Sequence, residues 1–179
     1  DNIQEVSLVS GLTVYKTNNL IEFIQHINKN KKLDSICTNG FNHEQNKHTE
    51  YDFKDIYGQS SAKRALEISA VGGHNVMLYG HPGVGKTSLA NAFSSILPNL
   101  DENEILEVTK IYSSVGLINK DSGVIVNRQV RAPHHTVSYS GLLGGGKIPK
   151  VGELSLAHKG VLFLDEFSEF PKNIIESLR

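Results

Sequence analysis

The chain has 179 residues, 39% of them hydrophobic, with 18 Lys and Arg against 19 Asp and Glu, for a formal charge of −1. Near-neutrality excludes a global attraction for nucleic acid, so any such contact must come from a local patch. A single cysteine, Cys37, excludes an internal disulfide. No apolar run is long enough to span a bilayer and no signal-peptide pattern is present, so the chain reads as a cytoplasmic protein without a membrane partner.

In chain order, residues 5–15 alternate and are rich in β-branched side chains, which predicts one or two strands. Asn19 followed by Glu22 predicts a capping box. Leu20, Phe23, Ile24 and Ile27 then form one helical face that requires an apolar partner. Residues 38–50 hold almost nothing apolar and read as a linker. A helix over about 60–71 is predicted to stop at Gly72-Gly73.

The run Gly80-His81-Pro82-Gly83-Val84-Gly85-Lys86-Thr87 fits G-x-x-x-x-G-K-S/T at every required position. Glycines let backbone N–H groups turn inward around phosphate oxygens, Lys86 adds a point charge, and the Thr87 hydroxyl is a ligand for Mg²⁺. Before it, 75–79 reads as a short buried strand. After it, from Ser88 to Leu97-Pro98, the spacing is helical, so phosphate would sit on a helix N-terminus. The alternative is an ordinary glycine-rich turn.

Residues 105–113 read as a second strand. Arg128 and Arg131 are either surface arginines or contacts to a neighbour's nucleotide or to DNA phosphates. His134-His135 invites a metal reading. Adjacent residues rarely point the same way, however, and no cysteine or carboxylate stands nearby at ligand spacing, so a structural or subunit-contact role fits better. Residues 138–146 predict a helix that runs into an unwound glycine stretch, and 147–152 a hairpin or loop tip. The apolar run 160–164 ends in Asp165-Glu166. Such a run is expected of a strand buried on both faces, whose carboxyl end borders the ligand crevice of an open parallel sheet. Asp165 would hold Mg²⁺, directly or through water, and Glu166 would orient and deprotonate a water. A strand ending in a solvated acidic turn is the bland alternative.

These residues carry a family resemblance. The segments around Asp52-Phe53-Lys54-Asp55-Ile56-Tyr57-Gly58-Gln59 and Ala62-Lys63-Arg64-Ala65, with the phosphate loop, look like the opening of an AAA+ module. Arg131-Ala132-Pro133-His134-His135-Thr136, Gly144-Gly145-Gly146, Gly152-Glu153-Leu154-Ser155 and the acidic strand narrow it. They resemble the magnesium-chelatase-like AAA+ proteins of the competence protein ComM type, also called YifB. The likeness runs through 51–179. Residues 7–15 resemble the end of the Lon-like domain that precedes the ATPase in that family.

The resemblance implies a division into 1–37, a C-terminal remnant of a Lon-like (S5-like) domain; 38–50, a linker; and 51–179, the N-terminal part of an AAA+ module. The expected fold class is α/β, a P-loop parallel sheet flanked by helices, truncated, with a small N-terminal α/β appendage. The cofactors are ATP and Mg²⁺, held by Gly80, His81, Pro82, Gly83, Val84, Gly85, Lys86, Thr87 and Ser88, with Thr87 and Asp165 on the metal. His81 itself carries no assigned chemistry. Lys86 and Glu166 are the catalytic pair, and Ile56, Tyr57 and Gly58 lie where family members pack the adenine.

In that family the 147–152 tip belongs to an insert facing a central pore, which makes Lys147 and Lys150 candidate DNA contacts; two solvated lysines on a surface loop are the alternative. The implied assembly is a homo-hexamer at full length, acting on DNA in branch migration. The other readings are a chelatase motor subunit and a nucleotide switch that does not hydrolyse. The chain stops before any candidate sensor residue, arginine finger or lid, so these residues alone are expected to be nearly inactive.

Overall fold

The computed structural model describes residues 6, 9, 11–37, 51–118 and 123–178. They fall into two compact units, one N-terminal and one built on 51–117 and 125–178. The linker expected at 38–50 lies outside the described residues. No helix among them is long and apolar enough to cross a membrane.

In the N-terminal unit, β1 (Thr13–Tyr15) pairs antiparallel with β2 (Ser35–Cys37), with Thr13 opposite Cys37 and Tyr15 opposite Ser35. Between them runs α1 (Leu20–Ile27). The Asn19 side chain accepts the Glu22 N–H at 2.9 Å, as predicted, but the Glu22 carboxylate accepts from Asn18 N–H at 3.0 Å instead of from the N-cap itself. The return arm of the capping box is therefore displaced by one residue. The predicted apolar face is formed but exposed: Leu20, Phe23, Ile24 and Ile27 all stand open to solvent.

The second unit opens with a 3-10 turn, Phe53–Asp55, capped by the Asp52 carboxylate on Lys54 N–H. Helix α2 (Ser60–Gly72) follows and ends at Gly73, whose φ of +63° is the left-handed stop that the glycine pair predicts. Helix α3 (Lys86–Ala92) continues as a 3-10 turn, Phe93–Ile96. Phe53, Leu66, Leu89 and Ala92 bury one another, with half-buried Leu78 against them, and this cluster fixes the base of the phosphate loop.

Two expectations are corrected here. Residues 105–113 are not a strand but the body of α4 (Glu102–Ser114). Asp101 and Glu104 close a full capping box at its start, and the buried residues Ile105, Val108, Thr109 and Tyr112 recur with a helical period. The segment 75–79 belongs to no strand, and Met77 and Tyr79 are 79% and 95% exposed. A strand is defined by its ladder partner, and this segment has none among the described residues.

The parallel sheet is correspondingly small. Among the described residues it consists of β3 (Val130–Arg131) beside β4 (Val161–Leu162), with Val130 opposite Val161. Val161 N–H donates to Gln129 O at 2.9 Å and Phe163 N–H to Arg131 O at 2.8 Å. Gly160 permits this approach, because a Cβ there would strike the Gln129 carbonyl. Helices α5 (Tyr139–Leu143), α6 (Glu153–Leu156) and α7 (Lys172–Ser177) pack around the pair. Leu142, Phe170 and Ile174 form their core; fully burying side chains such as Leu142 and Ile174 contributes about 1.5–3 kcal/mol each.

Both arginines that sequence leaves open are engaged internally. Arg131 forms a bidentate pair with Glu153 at 2.6 and 2.9 Å, which raises the guanidinium pKa further. Arg128 bonds the Pro98 and Lys159 carbonyls at 2.7 and 2.6 Å and the Glu104 carboxylate at 2.8 Å. Neither is a free surface arginine. Beside Arg131, the Tyr112 hydroxyl donates to Leu156 O at 2.9 Å, and burial pushes its pKa up.

Candidate active site

The phosphate loop turns on two glycines. Gly83 and Gly85 have φ of +80° and +88°, a region open to glycine at little cost, and successive N–H groups in such a turn converge on one point. Gly85 is also the residue from which α3 starts, so the positive end of the helix meets the same point. Lys86, half-buried, donates to the Gly80 and His81 carbonyls at 2.8 and 2.9 Å, which holds its ammonium across the loop. Gln59, left-handed at φ +52°, donates its side-chain N–H to Val84 O at 3.1 Å and ties the start of α2 to the loop.

From the other side comes the turn that follows β4. Asp165 Oδ1 accepts the N–H of Glu166 at 2.9 Å, which turns Oδ2 toward α3. There the Thr87 hydroxyl lies 3.3 Å from Asp165 Oδ2, across 78 positions of sequence. Two oxygens on one octahedral Mg²⁺ sit about 2.9 Å apart, given metal–oxygen distances of about 2.0–2.1 Å. A hydroxyl and a carboxylate at 3.3 Å therefore fit the ion. Glu166 follows at φ +53° and opens the 3-10 turn Phe167–Glu169, with its side chain 65% exposed and its Oε2 3.2 Å from His135 Nδ1.

Of the residues expected at an adenine, Ile56 lines a cavity of ≈ 240 Å³ with Tyr51, Asp52, Asp55, Ser88 and Ala92. Tyr57 and Gly58 do not line it, and Tyr57 is 93% exposed. Lys63 organises this edge by donating to the carbonyls of Phe53 and Ile56. Lys147 and Lys150 lie away from the phosphate loop in sequence, exposed on a short hairpin. Gly145 and Lys150 exchange backbone hydrogen bonds at 2.9 and 3.2 Å, and residues 146–149 turn between them. This is the unwound glycine stretch and tip that sequence predicts, following α5. Sequence reasoning did not anticipate His135 beside Glu166. Only the β3–β4 register brings them together, and the Pro-His-His string gives no sign of it.

A glycine-turned loop at a helix start, opposed by paired acids at the end of a parallel strand, has the layout of a P-loop nucleotide site. The chain belongs to the family described as Magnesium chelatase, subunit ChlI, whose sequence profile matches residues 52–179. It is 41% identical over 182 residues to "Competence protein ComM" of Haemophilus influenzae, covering 99% of this chain and 35% of that protein. It is 39% identical over 187 residues to YifB of Escherichia coli, covering 100% of this chain and 35% of that one. A more distant relative is the magnesium-chelatase 67 kDa subunit of Chlorobaculum parvum, 34% identical over 120 residues, which are 65% of this chain and 16% of the subunit. The chain thus spans about a third of the length of its two nearer relatives named here.

Proposed function

We propose that the chain carries the ATP-binding and ATP-hydrolysing centre of an AAA+ motor that assembles as a homo-hexameric ring and moves on DNA, as a branch-migration helicase of the ComM type. The observation that carries the catalytic part is the 3.3 Å approach of the Thr87 hydroxyl to Asp165 Oδ2, with Glu166 next in the chain. It joins the phosphate loop and the acidic strand into one site with the donor set that Mg²⁺ takes.

Bound Mg·ATP supplies the electrophilic γ-phosphorus and the charge that neutralises its oxygens. The chain's own residues do the rest. The N–H groups of 83–88 and the Lys86 ammonium hold the phosphates and stabilise charge on the transferring group. Thr87 and Asp165 hold the ion. Glu166 accepts a proton from the attacking water. Ile56 borders the base from the cavity that it lines with Ser88. Residues 1–37 are assigned to the end of a Lon-like domain, and the ComM and YifB matches support this by extending through the N-terminal segment.

The DNA reading is supported by the ComM relative and by the exposed lysines of the 145–150 hairpin. The chelatase family profile favours a second reading, in which the same ATPase drives a metal-insertion partner. ATPase assays at the relatives' full length, with and without forked or four-way DNA, separate the two. Stimulation by DNA is the expected result, and a response only to a tetrapyrrole-binding partner moves the assignment to the chelatase reading. Glu166→Gln should bind ATP while turnover falls at least ~100-fold. Near-normal turnover would remove Glu166 as the base, whereas a wild-type protein that binds ATP without turning it over would leave a nucleotide switch.

A further inference from the structure

Past the ends of β3 and β4 the chain runs on in two neighbouring segments, and four residues beyond Arg131 the first of these reaches Glu166. His135 Nδ1 lies 3.2 Å from Glu166 Oε2, and the His135 side chain is 28% exposed against 65% for the glutamate. The imidazole is held on two sides. Phe170 meets it edge-on with centroids 6.5 Å apart, and the His134 ring lies 4.0 Å away. His134 is itself fixed, its Nδ1 2.9 Å from the Thr136 hydroxyl. Glu166, by contrast, has a long exposed side chain, and among the described residues the contact with His135 is the one that orients its carboxylate.

We propose that His135 is a positioning residue for Glu166. A proton on Nδ1 donates to Oε2 and fixes the carboxylate, which leaves Oε1 free to accept a proton from water. No proton leaves His135 in this arrangement; the water proton goes to Glu166 alone. The inference rests on the reading of Glu166 as the base. A base acts only when it is within hydrogen-bond reach of the proton it takes, and misplacement by about 1 Å costs on the order of 10²-fold in rate. The ordered partner in the pair is the histidine, so the histidine sets the geometry.

Steady-state ATPase kinetics at the relatives' full length test this with variants that separate the donor from the ring. His135→Phe keeps the ring against Phe170 and removes the donor. His135→Asn loses the ring but puts an amide N–H where Nδ1 stands. Turnover should fall roughly 10- to 100-fold in His135→Phe with KM for ATP unchanged, and His135→Asn should recover most of it. His135→Phe added to Glu166→Gln should cause no further loss. His135→Leu serves as a second donorless side chain should the phenylalanine variant not fold, with ATP affinity by calorimetry as the check on folding. The opposite ranking, Phe active and Asn inactive, would mean that only ring packing matters and would overturn the proposal, as would wild-type turnover in every donorless variant. Wild-type turnover in Glu166→Gln alone is a different failure, because it removes the base reading itself.

Discussion

Asp165→Asn isolates the charge at the candidate metal site from the turn that carries it. Asp165 uses Oδ1 to accept the Glu166 N–H and presents Oδ2 to Thr87. Asparagine keeps a carbonyl for the first contact and offers an amide to the Thr87 hydroxyl, so the turn should survive. The residue is exposed, and exposed substitutions that break no such contact stay within about 0.5 kcal/mol. A melting temperature within about 2 °C of wild type follows. The loss falls on the ion. In water-like surroundings a unit charge about 4 Å from a dication is worth roughly 2 kcal/mol, a factor of about 30 in Mg²⁺ affinity. Calorimetric titration with ATP in Mg²⁺ and in chelator reads this directly. Wild type should bind more tightly with Mg²⁺, and the variant should lose most of that difference while binding free ATP as before. A variant whose affinity depends on Mg²⁺ as strongly as wild type would refute the assignment of Asp165 to the metal.

Lys86→Ala should abolish tight ATP binding, and unchanged affinity by calorimetry would remove the phosphate-loop assignment. Replacing both Lys147 and Lys150 with Glu should weaken DNA binding and its stimulation of hydrolysis while basal ATPase survives. That difference should shrink as salt rises, because lysine–phosphate attraction acts through released counterions; wild-type binding at low salt would leave them as solvated lysines. Tyr112→Phe leaves the buried Leu156 carbonyl without its donor and should cost roughly 1–3 kcal/mol in chemical denaturation. Because burial raises the Tyr112 pKa, this group's contribution is complete below its unfolded pKa and fades as pH rises through its folded value. The stability gap between the two proteins should therefore narrow in strongly alkaline buffer; a gap that widens there contradicts the buried-phenol account.

What sequence could foresee follows from the range of the forces involved. The phosphate loop was legible because it asks for particular backbone freedom and particular groups within eight consecutive residues. The stop of α2 at its glycine pair, the Asn19 cap and the unwound stretch after α5 are local in the same sense. The stretch 105–113 is legible too, but only by its period: Ile105, Val108 and Tyr112 suit a strand by residue type, while their spacing and the Asp101–Glu104 box specify a helix. The apolar segment 75–79 has strand composition, yet pairing depends on distant chain, and none of the described residues supplies a partner. His135 with Glu166 is a product of register, and Thr87 with Asp165 is a product of packing between segments 78 positions apart. A single-residue slip in the β3–β4 ladder would change which side chains meet, and no local pattern records it.

The Arg128 clamp has a mechanical consequence. One guanidinium grips the Pro98 carbonyl after α3, the Glu104 carboxylate in the first turn of α4 and the Lys159 carbonyl just before β4. The neighbouring stretches at 98 and 104 are thereby pinned to the distant one at 159 by a planar fork with fixed bond directions, which a flexible lysine ammonium cannot reproduce. Segments joined in this way open together or not at all. In hydrogen exchange the amides of the α4 start and of β4 should behave as one cooperative unit, and the acidic turn after β4 should share in it. The rigidity beneath Asp165 and Glu166 is thus traceable to a side chain that touches neither.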